Sequence, residues 1–268
     1  MISVFYDHIL EAETQSGLTK EVIMERLKKT GLEAVDISRG SLVGREEEMK
    51  NFFNKAGLKI ASIYCQFDFG NNGNPQPGFD LVDLAQKMGA KNVLIIPGFV
   101  HVRWKWFRKM VMSNMAEVLK KICKYGTEKE ITVSLEDFDD WKAPFSTIQD
   151  LKWFVDKVPG LGITFDTGNF LYQEQDEIAA FQVLSNHIVH VHMKDRSFDK
   201  KEGETYKSTI LGNEMYSAAV GTGIIHMEEL ALALKNIGYS GSYTAEHFGS
   251  QRQLADMETS ILWLKEHV

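Results

Sequence analysis

Ser134-Leu135-Glu136, Thr164-Phe165-Asp166, His190-Val191-His192 and Thr244-Ala245-Glu246 each close an apolar, strand-like run on a side chain that binds hard cations. They end the runs Ile131–Leu135, Gly162–Phe165, Ile188–Val191 and Ser242–Ala245, and similar runs lie upstream at Ser3–Tyr6, Ala34–Ile37, Lys59–Tyr64 and Val93–Ile96. Several are apolar on both faces, the pattern of strands covered on both sides, as in parallel sheets.

Helical patterns separate these runs: Glu21–Thr30, Arg45–Ala56, Leu81–Met88, Trp106–Tyr125, Thr147–Val158, Asp176–Ser185, Met227–Asn236 and Gln251–His267. Gly31, Gly57, Gly89 and Gly126 follow four of them, at αβ turns where glycine ends a helix at low cost. Eight strands each followed by a helix predict one α/β domain over residues 1–268, a (β/α)8 TIM barrel. A doubly wound open sheet fits less well. No Gly-rich phosphate loop follows the first strand, and eight repeats exceed the usual open-sheet count. The longest irregular stretch, Arg196–Val220, follows the seventh strand; Lys200, Lys201, Tyr206 and Lys207 within it suit either a lid over a substrate or a plain solvated excursion.

In a barrel the strand tips point into the mouth, and neighbouring strands lie about 4.8 Å apart. Glu136, Asp166, His192 and Glu246 follow the fifth to eighth strands and are therefore expected to converge on one divalent cation. Carboxylates with one imidazole favour Mn2+, with Mg2+, Co2+ or Zn2+ as alternatives. His190 and His192 face the same side of their strand, and spacing alone does not choose between them; His192, nearer the tip, is preferred. His190 then lies one layer deeper, and Asp195 is positioned to orient His192 through its other ring nitrogen. Lys194 suits a substrate oxyanion or phosphate, or a rim ion pair. Tyr64, Phe67, Trp104 and Trp106 lie near the rim, where aromatics either stack on a sugar ring or pack. The amides of Gly221-Thr222-Gly223 can form an anion nest.

The bulk composition narrows the partners. The chain has 268 residues, 44% hydrophobic and 25% charged, with a net charge of −7. Lys and Arg are scattered among acids, so nucleic acid is not an expected partner. No run approaches the roughly 18 apolar residues of a membrane span, and no basic segment precedes an apolar stretch at the N-terminus. Two cysteines, Cys65 and Cys123, make neither a disulfide scaffold nor a zinc knuckle. These features predict a cytoplasmic protein.

Ser134-Leu135-Glu136, Phe165-Asp166-Thr167-Gly168-Asn169, His190-Val191-His192-Met193-Lys194-Asp195, Gly221-Thr222-Gly223 and Ala245-Glu246 together resemble the xylose-isomerase-like TIM barrels, the sugar phosphate isomerase/epimerase superfamily. The resemblance runs strand by strand along the whole chain. It implies that Glu136, Asp166, His192 and Glu246 bind one divalent metal, and that Glu136 and Glu246 also serve as a proton-transfer pair. It implies a small carbohydrate substrate, for which Asn169, Lys194, Tyr64, Gly221 and Gly223 are the candidate contacts, and barrels of this size often form homodimers or homotetramers. The expected reaction is isomerisation or epimerisation of a sugar, sugar phosphate or keto-polyol, by proton abstraction beside a carbonyl through a metal-stabilised enediolate. A dehydratase using the same enediolate is the alternative, ahead of an endonuclease or a non-catalytic binding barrel. The chain departs from the family pattern at Asn169, often His; at Phe198, an Arg in ketose 3-epimerases; and at His226, usually Asp. Endonucleases of the superfamily carry further histidines that this chain lacks at Tyr64–Phe69 and at Asn169.

Overall fold

The computed structural model describes residues 1–101 and 104–268. Eight parallel strands close into a barrel: β1 (Ile2–Phe5), β2 (Ala34–Ser38), β3 (Lys59–Gln66), β4 (Asn92–Ile96), β5 (Thr132–Glu136), β6 (Leu161–Asp166), β7 (Ile188–Met193) and, last in the chain, β11 (Tyr243–Ala245). Helices wrap the outside, as the alternating pattern requires. The main hydrophobic layer lies between barrel and helices, where Ile37, Ile63, Leu135, Phe165 and Val191 meet Leu27, Leu119 and Phe154, all fully buried.

The inside of the barrel is different. Every strand contributes a buried polar side chain to one inward layer: Ser3, Asp36, Ser62, Asn92, Ser134, Thr164, His190 and Thr244. Each strand's inward face is therefore not apolar throughout, contrary to the sequence reading. Hydrogen bonds satisfy most of the layer, the Asn92 Oδ1 excepted. Asn92 Nδ2 donates to Ser62 Oγ at 2.8 Å, and Ser134 and Thr164 hydroxyls meet at 2.8 Å. His190 Nε2 reaches Asp36 Oδ2 at 2.6 Å from β7 to β2, strands that are not neighbours, so this bond crosses the interior. Buried polar groups tolerate this placement only because they are paired.

The stretch after β7 is irregular only in part, over 198–206 and 209–213. It folds into a three-stranded antiparallel sheet in the order β8 (Asp195–Ser197), β10 (Glu214–Ala218), β9 (Lys207–Ser208). A helix over Tyr6–Ser16, absent from the sequence reading, begins directly after β1. Its buried residues Tyr6, Ile9 and Ala12 follow a helical period, but Phe5 enters it without any side-chain cap. Gly89 ends its helix in the left-handed conformation, φ 79°. Gly126 does not end one: the helix runs Lys105–Glu128, and Gly126 is there because its backbone abuts β5. A β-carbon at Gly126 would stand 2.7 Å from the Ile131 carbonyl oxygen. Gly126→Ala is therefore expected to destabilise the fold by about 1–3 kcal/mol, measured by urea denaturation; an unchanged midpoint would show that the junction has slack.

Candidate metal centre

Glu136 and Asp166 are the last residues of β5 and β6, His192 lies one before the end of β7, and Glu246 follows β11. Asp166 and Thr244 are the register partners of His192 on either side. Inward-facing alternation then carries all four side chains to the carboxyl-terminal mouth. One donor atom from each lies within 4.8 Å of the others, and all four residues are buried. The structure brings together the whole expected ligand set.

The donor set fits a divalent cation. Asp166 Oδ1 accepts the amides of Gly168 and Asn169 at 2.8 and 2.9 Å, which fixes the carboxylate. Its other oxygen, Oδ2, is buried and has no partner of proper hydrogen-bond geometry; Lys194 Nζ stands 3.0 Å away as an ion-pair contact only. A buried carboxylate oxygen held by an ion pair alone, beside two other carboxylates, suits a divalent cation. Burial, offset in part by Lys194, pushes the Asp166 carboxyl up to about 6. Burial likewise raises Glu136 against the pull of His192.

His192 is oriented by a residue that the sequence did not reveal. Its Nδ1 faces Glu136 Oε1 and, at 3.4 Å, Glu246 Oε2, while Nε2 lies 3.2 Å from Asp36 Oδ2. With the ring proton on Nε2, Nδ1 offers its lone pair to the mouth. Asp36 also accepts from Ser3, Thr244 and His190. Burial alone would favour its acid form, but the two imidazoles outweigh burial and hold its carboxyl well below the usual range. His190 lies in the deeper layer, as expected.

Asp195, expected to orient His192, does not. Its carboxylate turns away and accepts the amides of Gly221, Gly223, Ile225 and Arg196. This occupies the Gly221-Thr222-Gly223 nest from within, so Gly221 and Gly223 are not available to substrate as the sequence reading supposed. Asn169 lines the mouth, but both ends of its amide are engaged: Nδ2 donates to the Asp137 carbonyl, and Oδ1 accepts from Lys194 at 2.8 Å. Lys194 is buried and also pairs with Glu246 at 2.5 Å; burial disfavours its charge, yet Asp166 and Glu246 more than restore it. Phe248, a residue the sequence reading missed, covers the Lys194 ammonium at 5.8 Å.

Above the tips lies a cavity of about 620 Å3, lined by Glu136, Asn169, Lys194 and Glu246 at its floor. Phe5, Tyr64, Leu94, Ile96 and Phe138 form much of its wall, and the segment after β7 adds Arg196, Thr205, Tyr206 and Lys207. Tyr64 is thus at the cavity, but its hydroxyl donates to Asp7 at 2.5 Å. Trp104 and Trp106 are exposed and stack on each other, Phe67 stacks on Phe69, and none of the three lines the cavity. Phe198 is exposed, and His226 pairs with Glu177 at 2.8 Å, outside the cavity lining.

The family described as "Xylose isomerase-like TIM barrel" matches residues 24–267. The chain belongs to this family. Among curated proteins it is 24% identical over 196 residues to an uncharacterized protein of Methanocaldococcus jannaschii, the match covering 70% of this chain and 60% of that relative. The chain thus spans less than two thirds of the relative's length. Three solved structures share the fold. An IOLI protein with a bound zinc atom is 15% identical, with TM-score 0.75 and coverage of 100% and 99% of the two chains. A D-allulose 3-epimerase from Methylomonas sp. is 13% identical, with TM-score 0.74 and coverage of 100% and 97%. A probable 3-DHS dehydratase of Bacillus anthracis is 15% identical, with TM-score 0.72 and coverage of 98% of each. Among the described residues, no helix is long and apolar enough to cross a membrane.

Two measurements test this centre. Four donors converge on the two oxygens of Asp36, and an amide in its place accepts at only one of them. Asp36→Asn is expected to weaken Mn2+ binding about 10–100-fold, read by metal titration; unchanged affinity would remove Asp36 from the site. Asp139, bonded to Arg196 and Lys207, supplies a pH test. Burial raises its carboxyl, but Lys194, Arg196 and Lys207 overrule burial and lower it from 3.8 to about 2. A depressed folded value means stability that is present above the unfolded value and lost as pH falls through the folded one. Asp139→Asn should therefore cost about 2 kcal/mol at neutral pH, and the difference from the parent should shrink as pH falls from about 4 toward 2. A gap independent of pH would contradict the ionised triad.

Proposed function

We propose that this chain is a divalent-metal-dependent isomerase or epimerase of a small carbohydrate: a sugar, sugar phosphate or related keto-polyol. The carrying observation is that Glu136 and Glu246 present carboxylates beside His192 and Asp166 within 4.8 Å, at the floor of a cavity of about 620 Å3 that can admit a sugar. Membership of a family named for xylose isomerase supports an enzyme, and the epimerase among the structural neighbours agrees with it. Glu136, Asp166, His192 and Glu246 would hold the ion. Hard oxygen donors favour Mn2+, with Mg2+, Co2+ or Zn2+ as alternatives.

A bound divalent cation supplies Lewis acidity toward a carbonyl oxygen and so acidifies the neighbouring C–H. The chain's own residues do the rest. One glutamate takes the proton, and the other returns it, to the opposite face for epimerisation or to the adjacent carbon for isomerisation. Glu246 is held at its post by Lys194. Asn169 fixes Lys194 in turn, and Phe248 shields that ammonium from water. Elimination of water from the same intermediate is the second reading; the probable dehydratase among the structural neighbours keeps it open. Two free cysteines suit a cytoplasmic enzyme, and a homodimer or homotetramer remains part of this proposal.

The test is solvent exchange. Mn2+-loaded protein in D2O, screened against ketoses, aldoses and their phosphates, should place deuterium on the carbon beside the carbonyl. Glu246→Gln should slow the exchange about 10²–10⁴-fold. A product lighter by one water would assign the lyase, and absence of exchange across the screen would reject proton transfer altogether.

A further inference from the structure

The segment after β7 brings two cations to one wall of the cavity. Arg196, in β8, places Nη2 2.9 Å from Asp139 Oδ2, and Lys207, in β9, places Nζ 2.5 Å from Asp139 Oδ1. All three line the same cavity as Glu136 and Glu246. One carboxylate against two cations leaves a surplus positive charge at the wall. Arg196 is 4% exposed, and its Nε has no hydrogen-bond partner, so the fold does not use the whole guanidinium. The adjoining wall of Phe5, Leu94, Ile96 and Phe138 offers nothing to sugar hydroxyls. A neutral polyol pressed there would lose its hydration without replacement.

We propose that the substrate carries an oxyanion, a carboxylate or a phosphate, that docks on Arg196 and Lys207 while its reacting carbon lies over Glu136 and Glu246. Asp139 is the internal counter-ion that keeps the two cations apart and oriented when no substrate is bound. The inference rests on the cavity being the substrate cavity, as proposed above, and it adds the charge class of the substrate. Arg196 suits planar, forked recognition of an oxyanion, and Lys207 adds a mobile point charge from the half-buried side.

Paired probes that differ by one anionic group test it by calorimetry on the Mn2+-loaded and the metal-free chain: gluconate against glucitol, and glycerol 3-phosphate against glycerol. The anionic member should bind at least about tenfold more tightly, and the pair with the larger ratio identifies carboxylate or phosphate as the source. Lys207→Gln, at a residue that is not fully buried, should abolish most of that ratio, and Arg196→Gln, checked for folding by its melting temperature, should do the same. Asp139→Asn should raise anion affinity, because a competing carboxylate is gone; a purely structural triad gives no such gain. Equal binding of charged and neutral members, a ratio untouched by Lys207→Gln and Arg196→Gln, or no binding of any probe at millimolar concentration would overturn the proposal. The outcome is separable from the reaction. Deuterium exchange without anion preference dependent on Arg196 and Lys207 sinks only the oxyanion site, and anion preference without exchange sinks only the isomerase.

Discussion

Repulsion between buried carboxylates is the constraint around which this molecule is organised. Glu136, Asp166 and Glu246 bring donor atoms within 4.8 Å of one another, where two full charges repel by roughly 3–4 kcal/mol even at an effective dielectric of about 20. Water relieves little of this, because Asp166 is fully buried and Glu136 and Glu246 nearly so. Lys194 offsets one charge, and it is gripped by Asp166, Glu246 and Asn169 for that purpose. One divalent ion would bring the three carboxylates and the one ammonium to neutrality. The cluster therefore carries an excess of negative charge that suits a divalent cation.

The polar layer beneath the tips explains how the deficit is tolerated. Asp36 stays ionised in the barrel interior because four donors from β1, β7 and β11 point at it. That network locks the His192 ring, and through it one face of the metal centre. A hydrophobic interior would pack as well but would leave the imidazole free to rotate. Here the barrel core gives up apolar burial for orientation, while the outer layer of Leu, Ile and Phe supplies the stability.

Much of this was legible in the sequence, and the misses share a cause. Strand runs ending in Glu136, Asp166, His192 and Glu246 announce both barrel and site, because parallel strands in one closed sheet must deliver their tips to one rim. Asp36 was not legible: it lies 154 residues from His190, in a strand with no motif, and only closure of the barrel makes them neighbours. Asp195 misled for the opposite reason. Adjacency to Lys194 suggested the site, yet the chain turns there, and its carboxylate gathers the amides of the 221–225 turn instead. The strands of the segment after β7 have two, three and five residues, too short for an alternation to show. The Tyr6–Ser16 helix hid behind a strand that ends without a turn.

The most direct measurement is an anomalous-scattering map of crystals grown with Mn2+. The account requires one peak at the barrel mouth, bounded by carboxylate oxygens of Glu136, Asp166 and Glu246 and by Nδ1 of His192, with Nε2 still turned to Asp36. A map with no peak there, or with manganese bound through other side chains, would contradict it.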